Sequence, residues 1–259
     1  MGIHSNTLFI GKVCTYLDQT PSTQLYLQDL CAKTEPIDGT AILSYHQTAG
    51  KGQGLNIWHS TPGRNIALSI LLRPDFLTLQ NQYLLNMAIA LAVRDLIADL
   101  TRQEVRIKWP NDILVNGRKI AGILINNTLQ GHRWKNAVIG IGINVNEAAF
   151  PVKLPHATSL SLVMQHEFEL DAVVSLLFEK LEQRYLSLKG KAFTQVLNEF
   201  NQSLFRINEE IIISDHDTIY SATLIGVGID GRIITSTPAG VNRAFRHKEV
   251  AIDFRLGIN

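Results

Sequence analysis

Three features of this sequence predict an α+β architecture: a mixed β-sheet flanked by helices, followed by a small β domain. As far as Leu204, short apolar runs bounded by Gly and Pro alternate with amphipathic stretches long enough for helices. Within that stretch Asn116-Gly117 joins two apolar runs, and this dipeptide favours the positive φ angles of a two-residue hairpin. From Phe205 onward helical periodicity stops, and short β segments are separated by turns at Asp215-His216-Asp217, Asp230-Gly231 and Pro238-Ala239-Gly240. The 259 residues thus divide into a domain over 1–204 and an appendage over 205–259. So small a β unit buries little core by itself, so it must lean on its neighbour.

Leu8 to Leu17 reads as the first strand, stopped by Pro21. Ser22 can cap a helix over Thr23–Leu30, because its hydroxyl accepts an orphan N–H of the first turn. Ala41–Tyr45 and the near-continuous apolar run Asn65–Arg73 are strands, and the loop between them carries Gly50, Gly52 and Gly54. Gln82–Leu100 is the clearest helix, with Leu84, Leu85, Met87, Ala88, Leu91, Ala92 and Leu96 at roughly helical spacing. Val105–Lys108, Asp112–Val115 and Lys119–Ile125 are strands. So is Ala137–Val145, whose alternate glycines suggest a close backbone approach by a ligand or another strand. Asp171–Leu188 and Ala192–Leu204 complete the helices.

The formal net charge of +1 excludes a general polyanion binder, since nucleic-acid affinity rests on many phosphate-neutralising cations. Cys14 and Cys31 fit neither a disulfide framework nor a four-ligand zinc site and read as small buried hydrophobes. No charged-then-apolar leader opens the chain, and no apolar run reaches the roughly 20 residues of a membrane span. A cytoplasmic protein is expected. Gly226-Val227-Gly228-Ile229-Asp230-Gly231 fits the dinucleotide fingerprint as a string. A strand, Arg232–Thr235, follows it where the fingerprint needs a helix, so Asp230-Gly231 reads as a hairpin turn. No P-loop occurs.

Two segments carry chemistry. Gln47 to Trp58 is a glycine-punctuated loop bearing Lys51. A flexible surface loop would look much the same, but its place between two apolar strands and its closing aromatic favour ligand binding. Lys108-Trp109-Pro110-Asn111-Asp112 places a cation, an amide and a carboxylate within five residues; a strand-ending turn explains Pro110 but not its neighbours. Beyond the hairpin, Lys119-Ile120-Ala121-Gly122-Ile123-Leu124 sets a lysine at the head of an apolar strand, where an edge-protecting charge is the common reason. Gly122 would nevertheless let a flat ligand lie against that strand.

In spacing and order these segments resemble the catalytic domain of biotin protein ligases, and the likeness spans about Leu8 to Val250. It implies a class II aminoacyl-tRNA-synthetase-like (biotin–lipoate ligase) catalytic domain with an SH3-like C-terminal β domain. The implied activity joins biotin and ATP, with Mg²⁺, into biotinyl-5′-AMP and transfers biotin to a lysine of a biotin carboxyl carrier protein. Carried over residue by residue, the resemblance gives Lys119 and Lys51 as catalytic. It gives Ser22, Thr23, Gln24, Gln47, Gly50, Lys51, Gly52, Gln53, Lys119 and Gly122 as biotin-binding. Gln53, Asn56, Trp58, Lys108, Asn111, Asp112 and Asn144 fall on the adenylate side, with Trp109 packed beneath and Asp112 a possible Mg²⁺ contact. Two departures touch the loop: Lys51 stands where the family has an arginine, losing the bidentate fork, and Leu55 stands where it has a third glycine.

A lipoate or octanoate ligase on the same fold would carry a different glycine loop and lysine strand. Bifunctional members begin with a winged helix-turn-helix, whereas the residues before Ser22 read as a strand. Binding to DNA or a membrane is therefore not expected. A non-catalytic biotin-binding module would also fit the loop departures, and an edge strand leaves room for a homodimer.

Overall fold

The computed structural model describes residues 5–54, 56–131, 133–215 and 218–254. Its first sheet has seven strands in the order β1-β2-β3-β7-β6-β5-β4. They are β1 (Cys14–Tyr16), β2 (Ala41–Ser44), β3 (Ile66–Leu72), β4 (Val105–Lys108), β5 (Asp112–Val115), β6 (Arg118–Gln130) and β7 (Arg133–Ile143). The β1–β2 pair is parallel and the others antiparallel, so the sheet is mixed. The helices are α1 (Thr23–Lys33), α2 (Tyr83–Thr101), α3 (Leu160–Met164), α4 (Leu170–Lys189) and α5 (Phe193–Gln202). The second sheet, order β11-β10-β9-β8-β12, comprises β8 (Glu210–Asp215), β9 (Thr218–Val227), β10 (Ile233–Ser236), β11 (Asn242–Phe245) and β12 (Ala251–Asp253), all antiparallel.

Strand alternation explains how the large sheet makes both a core and a site. On one face Ala41, Leu43, Leu68, Ile70, Ile139 and Ile141 pack with α2, α4 and α5 in the main core. On the other face Ile42, Leu71 and Val138 pack beneath Leu27 of α1. That second face changes character along the strands. The register pairs Leu71 with Val138, then Ser69 with Gly140, then Ala67 with Gly142. On β6, Leu124 faces Gly140 and Gly122 faces Gly142. The aliphatic side chains of α1 cover the aliphatic row. The small-residue rows instead receive the Gln24 amide and the Trp58 indole and form the floor of a cavity.

Several elements differ from the sequence reading. The expected strand over Leu8–Leu17 shrinks to Cys14–Tyr16, because residues 8–13 turn instead. Gly11 sits at φ +76° against the Phe178 ring. The buried Glu182 carboxylate accepts the N–H groups of Leu8, Phe9 and Ile10 at 2.6, 2.8 and 3.0 Å, satisfying donors that a strand would have paired. Helix α2 is buried almost all round rather than on one face, because α4 and α5 close its far side. The short helix α3, capped by Ser159, had no periodicity to announce it. Cys14 and Cys31 are free and half-buried, and Cys31 lies in the last turn of α1.

Asn116 and Gly117 take φ +49° and +74°, the hairpin geometry their sequence asks for. Asp230-Gly231 is a turn, with the Gly228 N–H donating to the Arg232 carbonyl at 2.8 Å. Residues 216 and 217 of the expected Asp215-His216-Asp217 turn lie outside the described residues, as does Leu55. The second sheet leans on the helices and the end of β4 through named contacts. Asn201 of α5 clasps Val227 in both directions, the Tyr83 ring packs under Gly231, and Trp109, just after β4, donates to the Gly231 carbonyl.

Candidate active site

Above the glycine floor lies a cavity of about 560 Å³. Its first wall is the N-terminus of α1. Ser22 is extended (φ −162°) and its Oγ accepts the Leu25 N–H at 3.5 Å, the capping role its sequence position suggests. Thr23 donates its N–H to Gln47 Oε1 at 2.8 Å and its hydroxyl lies 2.9 Å from that of Ser69. Gln24 donates to the Val138 carbonyl at 2.8 Å and to Asn126 Oδ1 at 2.9 Å, and accepts from the Ser69 hydroxyl at 3.2 Å. Gly140 leaves room for that amide, since a Cβ there would run into Gln24 Oε1. This end of the cavity is neutral, buried and cross-linked by hydrogen bonds.

The glycine loop forms the roof. Lys51 bridges Ile57, the Gly52 N–H donates to the Asn56 carbonyl at 2.9 Å, and the Trp58 N–H donates to the Gly50 carbonyl at 3.0 Å. The chain returns on itself at Gly54, φ +67°. Trp58 then drops its indole onto the floor, where a Cβ on Gly142 would stand 2.5 Å from the ring and one on Gly122 3.5 Å. Its Nε1 is buried and has no acceptor among the described residues. Behind the loop, the buried Glu147 carboxylate accepts the Thr61 N–H and hydroxyl at 3.0 and 2.7 Å and the Asn65 amide at 2.6 Å, anchoring the segment that carries Trp58.

The remaining wall is cationic. Lys119 Nζ pairs with Asp112 at 2.6 Å and lies 6.0 Å from the centre of the Trp58 ring. Both partners are partly exposed, so the pair adds little stability; it holds Lys119 over the glycine floor. Lys108 lies 5.3 Å above the Phe254 ring. Lys51, Lys108 and Lys119 face a cavity whose wall includes Asp112 and Glu249 as its carboxylates. A second cavity of about 610 Å³ opens on the far side of Lys108, Asp112 and Lys119 and is lined by Leu154, Pro155, His156, Phe205 and Phe254.

Of the expected residues, Ser22, Thr23, Gln24, Gln47, Lys51, Gly52, Gln53, Asn56, Trp58, Lys108, Asn111, Asp112, Lys119 and Gly122 all line the first cavity. Gly50 does not: it lies behind Trp58, where a Cβ would press on the Trp58 carbonyl. Nor does Asn144, whose buried amide donates to the Thr158 carbonyl at 2.9 Å and pins the strip that pairs with the Lys119 backbone. The Asn111 amide is engaged with the Ile123 carbonyl at 2.7 Å, splicing this segment onto β6. Trp109 turns toward the second sheet, donating to the Gly231 carbonyl at 3.1 Å and meeting the His247 ring edge-on. Among the described residues no group of three or more His, Cys, Asp or Glu could hold a metal ion.

Sequence reasoning missed Ser69, Glu147 and the turn His247-Lys248-Glu249. Ser69 was findable from its position in a strand beside the glycines; nothing local marked the turn. His247 is held below its ordinary pKa by burial and by the neighbouring Lys248 charge.

Known proteins sharing this layout fix the family. The profile of the biotin/lipoate A/B protein ligase family matches residues 16–144. The bifunctional ligase/repressor BirA of Bacillus subtilis is 31% identical over 254 residues, 97% of this chain and 76% of that protein. The chain belongs to the biotin/lipoate A/B protein ligase family. Another member, the biotin–[acetyl-CoA-carboxylase] ligase of Mycobacterium tuberculosis, is 35% identical over 175 residues, 66% of this chain and 64% of that one. In fold, the biotin protein ligase of Aquifex aeolicus, solved with biotin and ATP, superposes with a TM-score of 0.78 at 24% identity, covering 93% of this chain and 98% of that one. The mixed sheet and the C-terminal β sheet of this family member therefore follow the biotin protein ligase fold.

Proposed function

We propose that the protein joins biotin and MgATP into biotinyl-5′-AMP and pyrophosphate, then transfers biotin to a lysine of a biotin carboxyl carrier protein. One observation carries the reading. A neutral, hydrogen-bonded pocket meets a lysine-lined pocket over a floor of three glycines, with Lys119 at the junction. Ser22, Thr23, Gln24 and Gln47 suit the uncharged head of biotin, and the lysines suit a triphosphate.

In the first step a biotin carboxylate oxygen bonds the α-phosphorus and the α–β bridge breaks, its electron pair leaving on pyrophosphate. Two anions must meet, so cations must offset their repulsion and follow the charge onto the transition state. Lys119 bridges carboxylate and α-phosphate on exchanging Asp112 for the ligand. Lys51 and Lys108 attend the phosphates, and Asn56, Asn111 and Asp112 border the nucleotide. Mg²⁺ arrives with ATP and needs only one or two protein carboxylates beside phosphate and water, which suits Asp112. In the second step a neutral acceptor amine attacks the acyl carbonyl and AMP leaves, in a site kept poor in water because hydrolysis competes.

No helix among the described residues is long and apolar enough to cross a membrane. The two free thiols suit a reducing cytoplasm. The test is biotin-dependent ATP–pyrophosphate exchange, followed by labelling of a carrier domain. Exchange with biotin but not with lipoate or octanoate is expected. Exchange with lipoate alone would move the protein to the other branch of the family, and none with any acid would leave a binding module.

A further inference from the structure

The second sheet reaches the cavity through Ser214 of β8, through β12 and Phe254, and through the turn between the end of β11 at Phe245 and the start of β12 at Ala251. The Glu249 N–H donates to the Arg246 carbonyl at 3.1 Å, and the Glu249 carboxylate accepts the Arg246 N–H at 2.7 Å. Residues 246–249 are thereby closed into a tight loop with the carboxylate turned back onto its own backbone. Lys248, at the crown, holds φ +70°, a conformation that glycine or asparagine adopts far more readily than lysine. The turn alone does not call for a lysine.

Its ammonium supplies the reason. Lys248 Nζ lies 3.0 Å from the point where a Cβ on Gly54 would begin, at the tip of the glycine loop. Lys248 lines the same cavity as Lys51 and Lys108. Lys119 has Asp112, but none of these three has a carboxylate within ion-pair distance among the described residues. Three lysines, from the glycine loop, the first sheet and the second sheet, thus line one cavity without an ion-pair partner of their own among the described residues. Such a wall suits one ligand carrying several negative charges beyond the position of Lys119, which would meet all three cations at once.

We propose that Lys248, placed beside the tip of the glycine loop, binds the β- and γ-phosphates of MgATP, and so the departing pyrophosphate. This rests on the ligase reading above and adds a residue from the second sheet to its first half-reaction. As the α–β bridge breaks, the electron pair goes to the β-phosphate oxygen and Lys248 meets that growing charge. Once pyrophosphate has left, the contact has no anion to serve. Transfer of biotin from the adenylate to the acceptor amine then proceeds without Lys248.

The two halves can be measured separately in the full chain, using Lys248→Met and Lys248→Arg. In ATP–pyrophosphate exchange, Lys248→Met should raise the KM for ATP and that for pyrophosphate about tenfold each, the loss of one charge-assisted phosphate contact. The KM for biotin should stay within about twofold, and Lys248→Arg should restore most of the loss. Transfer from synthetic biotinyl-5′-AMP to a carrier domain should be unchanged in both variants. Unaltered exchange in Lys248→Met overturns the proposal, and so does an equal loss in both half-reactions, which would mark Lys248 as structural. Absence of exchange in the unmodified protein is a different result and removes the ligase reading itself.

Discussion

The two ends of the cavity are built on opposite plans. At the α1 end each polar side chain is already spoken for: Thr23 by Gln47 and Ser69, Gln24 by Val138, Asn126 and Ser69. At the lysine end Lys51, Lys108 and Lys248 lack carboxylate partners among the described residues. Neutral groups buried without partners are costly, so the first end must be complete before a ligand arrives. Exposed (Lys51, Lys248) or half-buried (Lys108) ammonium groups keep contact with water at little cost, so the second end can wait for its anion. In the proposed reaction the first end sets which acid is accepted and the second is assembled by the nucleotide.

The sharpest break in that contrast is Lys119→Ala, at the junction of the two ends. Exchange should fall by about 10²–10³-fold, the scale for removing one group aimed at developing charge, with the fold intact. Activity within about threefold of the unmodified protein would reduce Lys119 to an edge charge. Next is Gly140→Ala, which drives a methyl into the Gln24 amide. Overpacking of this kind costs about 1–3 kcal/mol. It should raise the KM for biotin at least about tenfold while sparing the KM for ATP, a split readable in one exchange assay. Equal effects on both substrates would mean the two ends are one.

A smaller effect is expected at the roof. Gln53→Gly leaves the loop harder to order, since glycine has more backbone freedom to lose, and biotinyl-AMP should escape before transfer. Streptavidin blotting of a bystander protein should show severalfold more labelling. Labelling no greater than normal, with adenylate still formed, would place retention elsewhere.

The smallest effect is a pH dependence confined to the lysine end. His247 is held below its ordinary value of 6.5 by burial and by Lys248. The unfolded chain therefore binds its proton first as pH falls. Stability should be undiminished above pH 6.5 and decline as pH drops through the folded-state value. Denaturation midpoints from pH 8 to 5 should show a shallower decline in His247→Gln; parallel curves for the two proteins would refute the assignment.

Local chemistry made much of this legible in the sequence. Asn116-Gly117 dictates its own hairpin, α2 announces itself by spacing, and alternate glycines on β7 foretell a close approach, met here by Gln24 and Trp58. What was hidden depends on partners distant in the chain. Residues 8–13 look like a strand until Glu182, over 170 residues away, takes their N–H groups. Asn144 stands in a promising motif but its amide is used by Thr158. Lys248 carries no local signal, because its meaning lies in Gly54.

The Trp109 indole, bonded to the Gly231 carbonyl while its neighbours Lys108 and Asp112 line the cavity, has a bearing on protein engineering. The seam between the two sheets runs through the lysine-lined wall, where the proposed function puts the nucleotide. Grafting a C-terminal sheet from a relative would transplant part of that wall, and a mismatch at Gly231 would be felt as altered nucleotide affinity. Chimaeras should therefore be cut so that residues 108–112 travel with residues 226–232 and 246–250 as one cassette.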